Sequence, residues 1–167
     1  GSMDKIKPDT GALEKWMNKY KGTYTLSAKL DGISGLYVCE NGIQKLYTRG
    51  DGTYGQDITY LIPYLKLPSC ASEQSIVIRG ELIMSKEVFE EKYKDIASNA
   101  RNLVAGIINS KKSASKDKFK DVDFVAYELI KPVLGAHDQF TLMSNKEEIK
   151  LTPLDVVVHK YINDSEL

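Results

Sequence analysis

The sequence predicts an α+β domain with largely antiparallel sheets. Three observations lead there. Apolar residues alternate in several short runs, two of these runs meet at Asn41-Gly42, and helical stretches fall between hairpins rather than after every strand. An Asn-Gly pair between alternating runs is a strong two-residue hairpin signal.

Taken in order, residues 10–21 carry Leu13, Trp16, Met17 and Tyr20 at i, i+3, i+4, i+7, which predicts a helix with Gly22 as its stop. Residues 23–30 alternate as a strand, and residues 35–50 form the hairpin about Asn41-Gly42. Residues 75–84 are a further strand. Ser85 is placed to cap a helix running to about Tyr93. Residues 99–109 have helical periodicity, and residues 122–130 form a strongly apolar strand. Ser144 and Glu147 have the spacing of a capping box for a short helix at 145–150, and residues 155–161 close as a strand.

Composition narrows the class. The chain has 167 residues, enough for one hydrophobic core, with 42% hydrophobic and 28% charged residues. No apolar run approaches the roughly 20 residues of a membrane helix. Gly1, Ser2 and Met3 read as a cloning scar, leaving residues 4–167 as the domain. Net charge is zero, so any grip on nucleic acid comes from a local patch or from parts of the protein beyond this chain. Cys39 and Cys70 have no metal-like spacing and suit a reduced compartment, and His137 and His159 are too few for a histidine metal site.

Lys29-Leu30-Asp31-Gly32 is a compact chemical unit. A lysine acts as a nucleophile only when neutral. Asp31, two residues on, falls on the same face of a strand, where it would orient the amine or help hold a metal. Gly32 permits a tight bend and close approach of backbone to phosphate. Alone, the tetrapeptide also describes an ordinary surface turn.

Further motifs follow in a fixed order. They are Thr48-Arg49-Gly50-Asp51-Gly52 continuing to Gly55, Asp57 and Thr59; Arg79-Gly80-Glu81; Asn99-Ala100-Arg101-Asn102 continuing to Ala105-Gly106; and Phe124 to Tyr127. With the lysine motif, this succession resembles the adenylation domain of NAD-dependent DNA ligases. The Thr-Arg-Gly-Asp-Gly segment is the one that separates that branch from ATP-dependent RNA ligases and capping-type nucleotidyltransferases. The resemblance implies a nucleotidyltransferase, ATP-grasp-like fold. It implies catalysis by Lys29 and Asp31, with Lys29 taking AMP from NAD as a lysyl-AMP phosphoramidate. AMP then passes to a DNA 5′-phosphate, and nicks are sealed in repair and replication. Leu30, Arg49, Glu81 and Tyr127 would join Lys29 in binding nucleotide: Arg49 and Glu81 at the ribose, Tyr127 stacked on adenine. Arg101 would face phosphate, with Lys111 and Lys112 assisting there or at DNA. Mg²⁺ is expected to offset phosphate charge, near Asp31 and Glu81 if held by protein. Nicked double-stranded DNA is the expected partner, without a membrane, inside a bacterium or as a virus-encoded protein.

Plainer readings stand beside these. Arg49 and Glu81 also suit a surface ion pair, Tyr127 a core aromatic, Asp51-Gly52 a turn, and Asn99 and Asn102 helix caps. Residues 111–120 hold five lysines and one aspartate, which suits a DNA backbone or a solvated loop. A non-catalytic nucleotide-binding or DNA-binding relative is the alternative of a different class.

The sequence also departs from the pattern it resembles. Ser27 stands where bacterial members commonly place an adenine-reading Glu, and Asn109 where a second Arg is frequent. Residues 155–160 imitate the later Asp-Gly-x-Val-x-Lys motif but put Val156 in place of its glycine, and they read as a decoy. About 25 residues precede Lys29 after the scar, fewer than a nicotinamide-binding subdomain needs. The expectation is therefore a partial adenylation domain that does not seal nicks alone.

Overall fold

The computed structural model describes residues 5–7, 10–51, 53–110, 116–144 and 154–162. The chain divides into two compact units, Gly1–Ala28 with Val158–Leu167, and Lys29–Val157.

In the smaller unit, helix α1 (Ala12–Lys19) is followed by β1 (Tyr24–Ser27). The predicted helix is shorter than its periodicity, and Gly22 lies three residues past its end with a φ of 133°. Trp16 packs its indole against Tyr20 and Tyr24, which joins the helix to the strand. β1 pairs antiparallel with β7 (His159–Ile162).

The larger unit is built on a sheet of order β3-β2-β4-β5-β6. Strands β2 (Ile33–Glu40) and β3 (Ile43–Thr48) form the predicted hairpin, with Asn41 and Gly42 both at positive φ, 51° and 76°. β4 (Ser75–Ile83) lies between β2 and β5 (Asp123–Lys131) and is antiparallel to both. β6 (Asp155–Val156) runs parallel to β5, an exception to the antiparallel expectation.

Strict alternation divides β4. Ile76, Ile78, Gly80 and Leu82 are buried, while Val77, Arg79, Glu81 and Ile83 are half-buried on the other face. Tyr37 and Cys39 of β2 and Phe124, Ala126 and Leu129 of β5 belong to the same buried cluster. Helix α3 (Ala100–Asn109) adds Val104, Ile107 and Ile108, and the 3-10 turn at Thr59–Tyr64 adds Leu61. The α3 carbonyl of Ile108 accepts from Tyr60 Oη at 2.9 Å, which ties the helix end to that turn. Gly80 is required at its place. A Cβ there would lie 2.5 Å from Phe124 Cζ and 2.7 Å from the Val125 carbonyl.

Four expectations are corrected. Ser144 does not open a helix; it is the last residue of α5 (Ala136–Ser144), which seats Phe140 and Met143 in the core, and Glu147 lies outside the described residues. Residues 155–161 are not one strand. They split into β6 and β7 and serve the two different sheets. The strand predicted at 23–30 closes at Ser27, so Lys29 to Asp31 lie in the link between β1 and β2 and strand alternation does not set their faces. Cys39 and Cys70 are not free thiols; a disulfide joins them, since β2 and the loop before β4 bring their Cα atoms to 5.6 Å. Among the described residues no helix is long and apolar enough to cross a membrane.

Helix α2 (Lys86–Lys92) starts as predicted, with Ser85 Oγ accepting from the Val88 N–H at 3.2 Å. Its C-terminal end is bound to the residues before β5 by Asp121. That carboxylate accepts from Lys92 Nζ at 2.8 Å and from Tyr93 Oη at 2.6 Å. Burial pushes the Asp121 carboxyl up, but these two donors outweigh it and hold it below the ordinary carboxylate value. Burial and the Asp121 carboxylate together push the Tyr93 phenol up to about 12, so it remains a donor. A depressed acid stabilises the fold above its unfolded value and loses that contribution as pH falls through its folded value. Asp121→Asn is therefore expected to cost about 1–2 kcal/mol at neutral pH. The difference should begin to shrink as pH falls below about 4, the ordinary aspartate value, and be gone once pH is below the folded value. Urea unfolding of both proteins across that range measures it, and a difference that persists into acid contradicts the assignment.

Candidate functional site

Of the residues singled out from the sequence, the half-exposed face of the five-stranded sheet carries Glu81 and Tyr127. Ser34 of β2 lies directly opposite Glu81 of β4, which lies opposite Val125 of β5. Arg49, just past β3, donates its N–H to the Ser34 carbonyl at 3.2 Å and extends the same row. One step along, Leu36, Arg79 and Glu128 form the next row, with an ion pair between Arg79 and Glu128.

Tyr127 stands on this face at an irregularity. Ala126 pairs with Gly80 and Glu128 pairs with Arg79, so Tyr127 is the extra residue of a β-bulge. Its phenol lies 3.1 Å from Ser34 Oγ. The residue is half-buried and packs against the buried cluster.

The bend of the lysine motif is built on Glu81. Gly32 N–H donates to Glu81 Oε1 at 3.2 Å, the link that docks the segment before β2 against the middle strand. Only glycine fits there, because a Cβ at Gly32 would sit 2.2 Å from the Leu82 carbonyl. Arg101, in the first turn of α3, donates to Asp31 Oδ1 at 2.7 Å. Asn99 Oδ1 caps that helix on the Asn102 N–H at 2.8 Å, as predicted. Lys29 and Asp31 are exposed, and Leu30 packs partly against the core.

Electrostatics single out Glu81. Burial pushes its carboxyl above the ordinary value. The Gly32 N–H and the charges of Lys29 and Arg101 pull it back in part, and Asp31 adds to the rise. These influences bring Lys29, Asp31, Glu81 and Arg101 into one electrostatic neighbourhood. Burial likewise pushes the Tyr127 phenol up, partly offset by Ser34.

The loop after β3 is structural at Asp51. Its carboxylate accepts from the N–H groups of Thr53 and Tyr54, both at 2.8 Å, which holds it below the ordinary aspartate value. Gly50 is at φ 59° and would place a Cβ 1.6 Å from the Tyr54 carbonyl. Gly52, Lys111 and Lys112 lie outside the described residues. Ser27 ends β1 opposite His159 in the smaller unit, and Asn109 is the last residue of α3. Sequence reasoning did not single out Ser34 or Glu128, and it named Arg79 only as part of Arg79-Gly80-Glu81, without a role of its own. The alternation of β2 and β4 places Ser34 and Arg79 on the face of Glu81, but Glu128 reaches it only through the bulge.

Residues 4–164 match the family described as the NAD-dependent DNA ligase adenylation domain. The chain belongs to that family. It is 57% identical over 136 residues to a DNA ligase of Acanthamoeba polyphaga mimivirus, an alignment covering 79% of this chain and 21% of the relative. It is 33% identical over 144 residues to a DNA ligase of Borrelia turicatae, covering 79% and 21%. The chain thus spans about a fifth of the length of these relatives. Among solved structures, the ligase domain of M. tuberculosis LigD aligns with a TM-score of 0.46 and 17% identity, over 83% of this chain and 40% of that one, too low to support an argument.

For this adenylation domain, the half-buried Glu81 carboxylate costs stability when it is charged. An acid with a raised folded value favours the fold most at low pH, and that advantage declines as pH rises from the unfolded value, about 4.3. Glu81→Gln keeps an oxygen for the Gly32 N–H and removes the charge. The variant should gain stability relative to wild type between about pH 4 and about pH 7. Denaturant midpoints at the two ends test it, and a constant difference would show that the charge is not penalised.

Proposed function

We propose that this domain holds the AMP part of NAD on the half-exposed sheet face and accepts AMP on Lys29. The observation that supports this best is the bend at Gly32. One hydrogen bond to Glu81 links the lysine motif to the middle strand, and Arg101 anchors Asp31 beside it.

In this reading Lys29 Nζ is the nucleophile. Its lone pair forms the N–P bond to the α-phosphorus, and the amine gives up a proton. The P–O bond to nicotinamide mononucleotide breaks, and its electron pair leaves with that group. The oxygen of a DNA 5′-phosphate then attacks the adenylate phosphorus and releases Lys29. Attack by the 3′-hydroxyl across the nick joins the strand and expels AMP. Asp31 keeps Arg101 on the phosphate side, where a planar guanidinium suits phosphate oxygens. Glu81 and Arg49 take the ribose, and Leu30 lines the base of the site. Tyr127 supplies the ring on which adenine stacks. Lys111 and Lys112 are assigned to phosphate or DNA by sequence alone.

Mg²⁺ would offset phosphate charge here. The contacts of Asp31 with Arg101 and of Glu81 with the Gly32 N–H use one oxygen each, Oδ1 and Oε1, so the second oxygen of each carboxylate would be its ligand. Among the described residues no three His, Cys, Asp or Glu side chains gather as a metal site. No step of the proposal depends on a protein-held ion.

Two measurements test the reading. In a ligase-length protein carrying this domain, adenylate label from NAD should map to Lys29 and disappear in Lys29→Ala; label on another lysine overturns the assignment. In this chain, Glu81→Ala and Tyr127→Ala should each weaken AMP binding by about 1–3 kcal/mol, with the fold checked by circular dichroism. Unchanged affinity in both removes them from the nucleoside site.

A further inference from the structure

Ser34 occupies a junction that none of the motifs marks. Its carbonyl accepts from Arg49, its backbone lies opposite Glu81, and its hydroxyl meets the phenol of Tyr127. The last contact crosses the sheet. Ser34 is on β2 and Tyr127 on β5, with β4 between them. Neighbouring strands are about 4.8 Å apart, so the two backbones are separated by roughly 10 Å. A serine is too short to cover that span, and the tyrosine must bridge it. Its ring therefore lies across β4, in the interval between Arg79 and Glu81.

Both ends of the ring are thereby fixed. The bulge between Gly80 and Arg79 sets the direction in which the Tyr127 side chain leaves β5. At the far end, the Ser34 hydroxyl holds the phenol oxygen at 3.1 Å. A ring held at one end alone would swing about its χ angles, and a base stacking on it would have to immobilise it. A ring held at both ends is a preorganised platform.

We infer that Ser34 is a positioning residue for base recognition: it acts through Tyr127, fixing the ring as a flat wall for the nucleobase without touching the nucleotide. This rests on the proposed role of Tyr127 as the stacking ring. It differs from a general structural role because it concerns the base alone. Ribose and phosphate are assigned to Glu81, Arg49, Lys29 and Arg101, none of which needs the Tyr127 ring held still.

The test is a set of titrations with AMP and with ribose 5-phosphate, using wild type, Ser34→Ala, Ser34→Thr, Tyr127→Phe, Tyr127→Ala and the Ser34→Ala/Tyr127→Phe double variant. Ser34→Ala should weaken AMP binding roughly three- to tenfold, the effect of one neutral hydrogen bond. Ribose 5-phosphate affinity should not change. Ser34→Thr keeps a hydroxyl and should restore AMP affinity. Tyr127→Phe lacks the phenol and should lose as much as Ser34→Ala, and in its background Ser34→Ala should add nothing. Equal losses for both ligands, additive losses in the double variant, or full AMP affinity in Ser34→Ala would overturn the inference. The Tyr127→Ala arm separates the two levels. If it leaves AMP affinity intact, the stacking reading has failed; if it weakens AMP while Ser34→Ala does not, only the positioning role has failed.

Discussion

A single backbone-to-carboxylate hydrogen bond organises the site. The Gly32 N–H reaches Glu81 Oε1, and through it the link carrying Lys29 is docked on the middle strand of the sheet. The contact requires a chain that passes within van der Waals distance of the Leu82 carbonyl, and so a residue without a side chain at position 32. Its acceptor is a half-buried carboxylate. The Glu81 carboxylate does not gain from this placement, since burial works against its charge more than its donors and neighbouring cations repay. A group retained at such a cost is characteristic of a site rather than of a scaffold.

The cation arrangement follows from the same bend. Arg101 comes from a helix seated in the core through Val104, Ile107 and Ile108, and its partner Asp31 is one residue before Gly32. The helix is therefore tied to the bend by charge and to the sheet by apolar packing. The Asn99 cap fixes where its first turn begins, and hence where Arg101 emerges. An exposed ion pair contributes little stability by itself. Its value here lies in direction, because it keeps a guanidinium beside the lysine motif.

Local signals were legible wherever the physics was local. Asn41-Gly42 announced its hairpin because both residues accept positive φ. Ser85 and Asn99 announced helix starts because each side chain accepts from an N–H three residues on. The paired partners were not legible. No feature of the valine run after Leu154 shows that Asp155–Val156 joins one sheet and His159–Ile162 another. The bulge at Tyr127 exists only relative to β4, so the sequence of β5 alone does not contain it. Ser144 had the spacing of a cap, but Phe140 and Met143 draw the preceding residues into a helix that it ends. Cys39 and Cys70 are 31 positions apart, and their meeting depends on how the loop before β4 returns to β2. The motif residues were found because their order resembles a family; Ser34, which joins three of them in space, belongs to none of those motifs.

The alternation of β4 has a consequence for how such a domain diversifies. Ile76, Ile78, Gly80 and Leu82 face inward, whereas Val77, Arg79, Glu81 and Ile83 face the site. Every second codon of one strand is thus answerable to packing, and the intervening codons to the half-exposed face. The two sets leave opposite faces of one strand, so a change in one does not redirect the other. A substitution at 77, 79 or 83 changes the half-exposed face and leaves the four inward positions in place. Gly80 is the position where this independence fails, since its missing side chain makes room for Phe124 in the interior while it lies between two residues of the outer face.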